Sequence, residues 1–236
     1  MKNFPFKIYN LSHEIRDASP HWFEKSSFKL ETVFDYGDCN SKTKFRAQNV
    51  FLNTNLGTHI DSPAHCFKGA LNVASLNLNE KIFKLYVFDF SHKNFTADYL
   101  ISQKDLIEYQ VKNAKLADFL DCEYPIFVII YTGWGKFWTN PEKYRNNLLF
   151  PTLAKDAVSY LSGFDVAGLG VDTLSPDSDK TEYFAHATLL SKNWFFVENL
   201  VYCDNIKSGD YVLISPLQIA DCVEAPVQVS VLSVSP

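Results

Sequence analysis

The sequence predicts an α/β fold: a single domain over residues 1–236 with a mixed, barrel-like β-sheet flanked by helices. Three observations carry that expectation. Short extended runs fill the first third of the chain, helical and extended patterns alternate afterwards, and no Gly-, Pro- or Ser-rich linker separates the two parts.

In chain order, residues 6–11, 28–34 and 45–53 read as strands rich in aromatic and β-branched residues, punctuated by Pro, Gly, Asp and Asn. Residues 84–90 form another. Residues 124–131 are a continuous apolar segment of the kind buried on both faces. Between these last two, residues 102–109 and 114–120 carry helical spacing, with Ser102 placed as an N-cap before Asp105. Residues 152–161 follow Pro151, show apolar positions at Leu153, Ala157, Val158 and Leu161, and stop before Gly163, where a left-handed C-cap is expected. A strand over 166–171, a short helix over 186–192, a strand over 194–197 and two strands within 211–234 complete the reading.

Composition narrows the function. An apolar share of 47% is enough for a core that offsets chain entropy, which excludes a disordered chain. The net charge of −5, with no basic cluster, argues against nucleic acid as a partner. No window approaches the roughly 20 apolar residues of a membrane span, and the start, Met1-Lys2-Asn3-Phe4-Pro5, lacks the apolar region of a signal peptide, so a cytoplasmic location is expected. The five cysteines lie far apart with no Cys-x-x-Cys pair, and read as buried or incidental thiols, Cys66 being the exception to watch because it directly follows His65.

Ligand-type residues are densest in Asn55-Leu56-Gly57-Thr58-His59-Ile60-Asp61-Ser62-Pro63-Ala64-His65. Gly57 and Pro63 argue against a helix, and in an extended stretch Asn55, His59, Asp61 and His65 would share one side. Imidazole and carboxylate together suit zinc, manganese or iron, and a carboxylate has two oxygens with which to bridge two ions. Taken alone, a His-x-Asp pair reads more readily as a polar loop with one histidine in a structural hydrogen bond than as a metal site.

The segment resembles the signature His-x-Gly-Thr-His-x-Asp-x-Pro-x-His of the putative-cyclase family, which includes kynurenine formamidases and isatin hydrolases. Every specified position but the first is matched, and Asn55 stands there. Leu11-Ser12-His13-Glu14-Ile15, Thr132-Gly133-Trp134, Val171-Asp172-Thr173-Leu174-Ser175-Pro176-Asp177, Phe184-Ala185-His186 and Val197-Glu198-Asn199-Leu200 are similar to other blocks of that family. The resemblance implies a divalent metal ion, zinc or manganese, one or two per chain. His59 and Asp61 would hold the first ion, Asp61 would bridge to a second held by His186 and Glu198, and His65 would give and take protons. Asn55 would be at most a weak ligand, its neutral oxygen favouring an oxygen-loving ion over zinc. Asp172 reads as a turn cap. The implied activity is hydrolysis of an amide, lactam or ester bond in a small aromatic substrate, with Trp22, Phe67 and Trp134 as pocket candidates. The alternative is a non-catalytic metal- or ligand-binding homologue that has lost a ligand at Asn55. A homodimer or homotetramer is expected.

Overall fold

The computed structural model describes residues 5–23 and 28–234. The early elements are strands: β1 (Phe6–Asn10), β2 (Lys29–Phe34), β3 (Ala47–Phe51), β4 (His59–Asp61) and β5 (Phe83–Asp89). Alternation follows, with β6 (Leu100–Ile101), α1 (Gln103–Lys112), β7 (Ile126–Tyr131), α2 (Pro141–Arg145), β8 (Thr152–Leu153), α3 (Lys155–Leu161), β9 (Gly168–Val171), α4 (Phe184–Leu189), β10 (Phe195–Glu198), β11 (Tyr211–Pro216) and β12 (Glu224–Val234).

Seven strands close into a mixed barrel in the order β12, β11, β5, β7, β9, β10, β4 and back to β12. β5, β7, β9 and β10 run parallel, as crossovers through helices require, while the strands that close the circle are antiparallel. β12 is long enough to serve two partners on one edge: residues 224–226 pair with β4, and residues 230–234 pair with β1. The Ser12 hydroxyl bridges the gap between them, donating to the Val227 carbonyl and accepting the Val229 N–H.

Strand alternation sorts the core into two layers. In β7, Phe127, Ile129 and Tyr131 face the barrel interior with Leu85, Val197, Val212 and Val229. Ile126, Val128 and Ile130 face outward and pack with Leu106 of α1, Val158 and Leu161 of α3, and Ala185 and Leu189 of α4. Each of these large side chains contributes roughly 1.5–3 kcal/mol by leaving water. β9 carries glycine at 168 and 170 because its neighbours come close: a Cβ on Gly170 would lie 2.6 Å from Leu200 Cδ1.

The expected helix over residues 152–161 is shorter. Thr152 and Leu153 instead form β8, whose N–H groups go to the Tyr99 and Pro176 carbonyls, and the helix begins at Lys155. A tertiary ladder outcompetes the local helical pattern here. Nor does Gly163 form a left-handed cap; Ser162 closes the helix in the right-handed region. The expected helix over 114–120 is a single 3-10 turn, Leu116–Phe119. Ser102 caps α1 as expected, in a reciprocal bond with Asp105. Among the described residues, no helix is long and apolar enough to cross a membrane.

Candidate metal centre

β4 lies between β10 and β12, and its pairing register builds the site. Glu198 stands opposite His59, and Glu224 stands opposite Asp61. Directly opposed residues of neighbouring strands share a face. Ile60 and Ala225 point into the barrel core, so His59, Asp61, Glu198 and Glu224 all project from its outer surface. The extended alternation expected over residues 55–65 holds only for His59 and Asp61. Gly57 breaks the run with φ of 75°, where a side chain would strain the backbone and meet Ile15, and Pro63–His65 is a 3-10 turn. Asn55 and His65 therefore reach the site through turns.

Each buried imidazole has its Nδ1 side anchored. His59 Nδ1 lies 3.0 Å from the Gly57 carbonyl, which also accepts the Asn199 amide. His186 Nδ1 lies 2.9 Å from Asp177 Oδ2. Asp177 also accepts the Ala185 and His186 N–H groups in the first turn of α4, and the Thr181 hydroxyl. One buried carboxylate thus caps the helix and sets the ring that the helix carries. With both Nδ1 atoms so engaged, the Nε2 atoms turn to the carboxylates. His59 Nε2 is 3.5 Å from Asp61 and 3.3 Å from Glu198; His186 Nε2 is 3.7 Å from Asp61 and 3.9 Å from Glu198.

These separations exceed the roughly 2.7–2.9 Å of a charge-assisted hydrogen bond. Asp61 Oδ1 and Glu198 Oε1 are buried without a hydrogen-bond partner. Such orphaned carboxylate oxygens are costly unless a cation satisfies them, and the donor set of imidazole nitrogen and carboxylate oxygen is one that divalent zinc, manganese and iron accept. The residues present therefore fit a divalent ion. Among the described residues, two groups bring ligand atoms within 4.8 Å of one another: Asp61, His65 and His186, and His59, Asp61 and Glu224. Asp61 belongs to both.

Without a cation the cluster must hold protons instead. Burial disfavours charge on His59, yet the neighbouring Glu198 carboxylate and the Asp61 charge push its pKa up to about 9. His186 is likewise raised despite burial, by Asp177 and Asp61. Burial and the Asp61 charge raise Glu198; for Asp61, burial is outweighed by His186 and His59, and its pKa falls.

The site floors a cavity of about 280 Å³ lined by Trp22, Phe23, Asn55, Leu174, Tyr183 and the ligand-type residues. His65 stands at its edge, its side chain 33% exposed, with Nδ1 3.4 Å from Glu224 Oε1 and its ring centroid 5.7 Å from that of His186. Of the expected aromatic residues, Trp22 lines the cavity. Trp134 is buried behind the cavity wall, in a cluster with Leu174 and Trp22, its Nε1 donating to the Tyr144 carbonyl, and Phe67 packs on the outer core layer; neither lines the cavity. Asn55 reaches the cavity, but its Oδ1 lies 2.9 Å from His21 Nε2. His21 Nδ1 accepts the Phe23 N–H, so the neutral ring carries its proton on Nε2 and donates it to Asn55. Asp172 is a turn cap as expected, accepting from Thr132, Gly133 and Gly135.

Three residues of the site carry roles that the sequence did not assign. Asp177 was legible in principle, as an acidic residue a short way before a helix bearing a histidine. Asn199, fully buried, ties the Gly57 carbonyl to the Tyr144 hydroxyl. Glu224 gave no signal, because a glutamate in a strand pattern ordinarily marks a solvated face.

The chain's sequence matches the family described as Putative cyclase over residues 9–178. It is 27% identical over 203 residues to the kynurenine formamidase of Bacillus cereus, covering 84% of this chain and 87% of that one. The fold is similar to that of an isatin hydrolase solved with the product analogue thioisatinate, with TM-score 0.82 at 17% identity over 98% of this chain and 94% of the other. It is also similar to a predicted metal-dependent hydrolase from Bacillus stearothermophilus, with TM-score 0.70 at 23% identity over 96% and 98% of the two chains.

Proposed function

Since the chain belongs to the putative-cyclase family, we propose that it is a metal-dependent hydrolase acting on a C–N bond in a small aromatic substrate, in the manner of a kynurenine formamidase. One observation supports this above the rest: His59, Asp61, His186 and Glu198 converge on the floor of an aromatic-walled cavity, with two buried carboxylate oxygens left unsatisfied.

His59 and Asp61 would hold one divalent ion, zinc or manganese, and Asp61, His186 and Glu198 a second. A bound ion would supply Lewis acidity, lowering the pKa of water from 15.7 toward about 7 and polarising the scissile carbonyl. The chain's own residues do the rest. Asp177 and the Gly57 carbonyl hold the two rings so that both Nε2 atoms face the centre. Trp22, Leu174 and Tyr183 line the cavity and would pack against an aromatic ring and exclude water from around it. His65, at the cavity edge and oriented by Glu224, takes the proton from attacking water and returns it to the departing amine.

Metal analysis of the purified protein, followed by assay with N-formyl aromatic amines, lactams and lactones, tests this. Bound divalent ion with turnover of an N-formyl arylamine is expected. A metal-free protein that takes up no added zinc or manganese would overturn it. A second reading, a binding protein without catalysis, draws on Asn55, where the family signature has histidine. Metal uptake with no turnover of any of these classes would favour that reading.

The β2–β3 ribbon supports a homodimer or homotetramer, because Leu30, Val33, Val50 and Phe51 are each more than half exposed on it. Light scattering at micromolar concentration checks this, and a monomer would reject it.

A further inference from the structure

Glu224 has no role in the ligand set implied by the family signature. It is a partly buried carboxylate on the first residue of β12, directly opposite Asp61 and on the same face as His59. Its ligand atom lies within 4.8 Å of those of His59 and Asp61. Its Oε2 accepts the Thr54 hydroxyl at 3.1 Å, which fixes the rotation of the carboxylate, while Oε1 faces the His65 ring. Each carboxylate oxygen has two lone-pair directions, so both contacts leave acceptor capacity on the group. Asn55, by contrast, stands where the signature has its first histidine, and its oxygen already receives the His21 proton.

We infer that Glu224 is a metal ligand of this centre, completing the His59–Asp61 site in the place that Asn55 leaves. Asp61 Oδ1, buried without a hydrogen-bond partner, is the second observation that points to a cation there. The exchange is chemical as well as positional. A neutral imidazole is replaced by an anion, so the centre presents three carboxylates, Asp61, Glu198 and Glu224, and the His59–Asp61 site becomes harder and more strongly charge-neutralising. The same carboxylate touches His65, so the group that completes the site also orients the proton carrier.

The inference rests on the metal centre proposed above, and titrating zinc or manganese into metal-depleted protein by calorimetry separates the two. Wild-type protein that binds neither ion would defeat both. If wild type binds, Glu224→Gln, which keeps size and the Thr54 contact, should weaken one site at least about tenfold and leave the other nearly unchanged. Asn55→Ala should change either affinity less than about threefold. Glu224→Ala, with its fold checked by circular dichroism, should weaken the same single site. Unaltered affinity in both Glu224 variants would overturn the inference while leaving the metal centre standing, and so would loss of the site in Asn55→Ala but not in Glu224→Gln.

Discussion

The two halves of the centre are built by different means. His186 rides on a short helix whose first turn, ring nitrogen and preceding loop are all tied to one carboxylate, Asp177. Its half is buried and fixed by side-chain hydrogen bonds. The His59 half is fixed by backbone register: β4 is sewn between β10 and β12, and His59, Asp61 and Glu224 stand where strand pairing puts them. Toward the cavity it opens onto Asn55 and His65, both delivered by turns. The contrast teaches that a site can lose a side chain on its open, register-built half and recover a donor from the neighbouring strand. The other half hangs on a single helix cap, Asp177.

The largest expected effect tests that difference directly. His186→Ala and His59→Ala should each abolish turnover and lose metal, and the thermal midpoint should drop toward that of chelator-treated wild type, because bound-ion free energy is linked to the native state. Metal analysis and thermal melts check this; full metal occupancy in either variant would remove that ring from the ligand set.

Next comes His65→Ala, which should lower turnover about 10²–10⁴-fold, the usual contribution of general acid–base catalysis, with metal content and thermal midpoint nearly unchanged. Should His65→Ala lose metal as readily as His59→Ala, His65 is a ligand and the proton-transfer role fails.

Asp177→Asn should cost about 10–100-fold in metal affinity at the His186 half, the usual effect of removing a ligand's orienting partner, and should leave the His59 half close to wild type. Equal weakening of both halves in a competition titration would show that the two are not separately built.

A pH series sharpens the comparison further. In metal-free protein the His59 pKa is raised from an ordinary 6.5 to about 9. A raised folded pKa contributes stability that is fully present below 6.5 and is lost as pH rises through about 9. Metal must displace that proton, so affinity at the His59 half should climb between pH 6.5 and 9, with proton release measurable by calorimetry in two buffers. Flat affinity over that range would contradict the assignment.

The smallest effect concerns His13, outside the centre, whose ring stacks on Trp138 at 3.8 Å with a buried, unpartnered Nε2. Burial lowers its pKa to about 4. The unfolded chain takes up the proton first, so stability present above 6.5 is lost as pH falls toward 4. His13→Phe should flatten the acid limb of a stability curve, and an unchanged limb would count against the burial argument.

The sequence by itself determined the class of fold and the chemistry of the donors. Residues 126–131 had to be a strand buried on both faces because no polar residue interrupts them, and two side-chain layers indeed divide there. His59, Asp61 and His65 were legible because the motif is local: its spacing survives whatever the rest of the chain does. Only the tertiary structure decided which distant groups join them. Barrel closure pairs residues 224–226 with 59–61, bringing Glu224 to Asp61 across some 160 positions of sequence. No periodicity in the chain encodes that register. The same reason explains Thr152 and Leu153, whose helical pattern yielded to a ladder with residues 100–101. It also explains Asn55, whose oxygen finds His21 from another segment. Local pattern fixes what a segment is able to offer, but strand pairing between remote segments fixes what it meets, because backbone groups left without a partner cost more than local propensity returns.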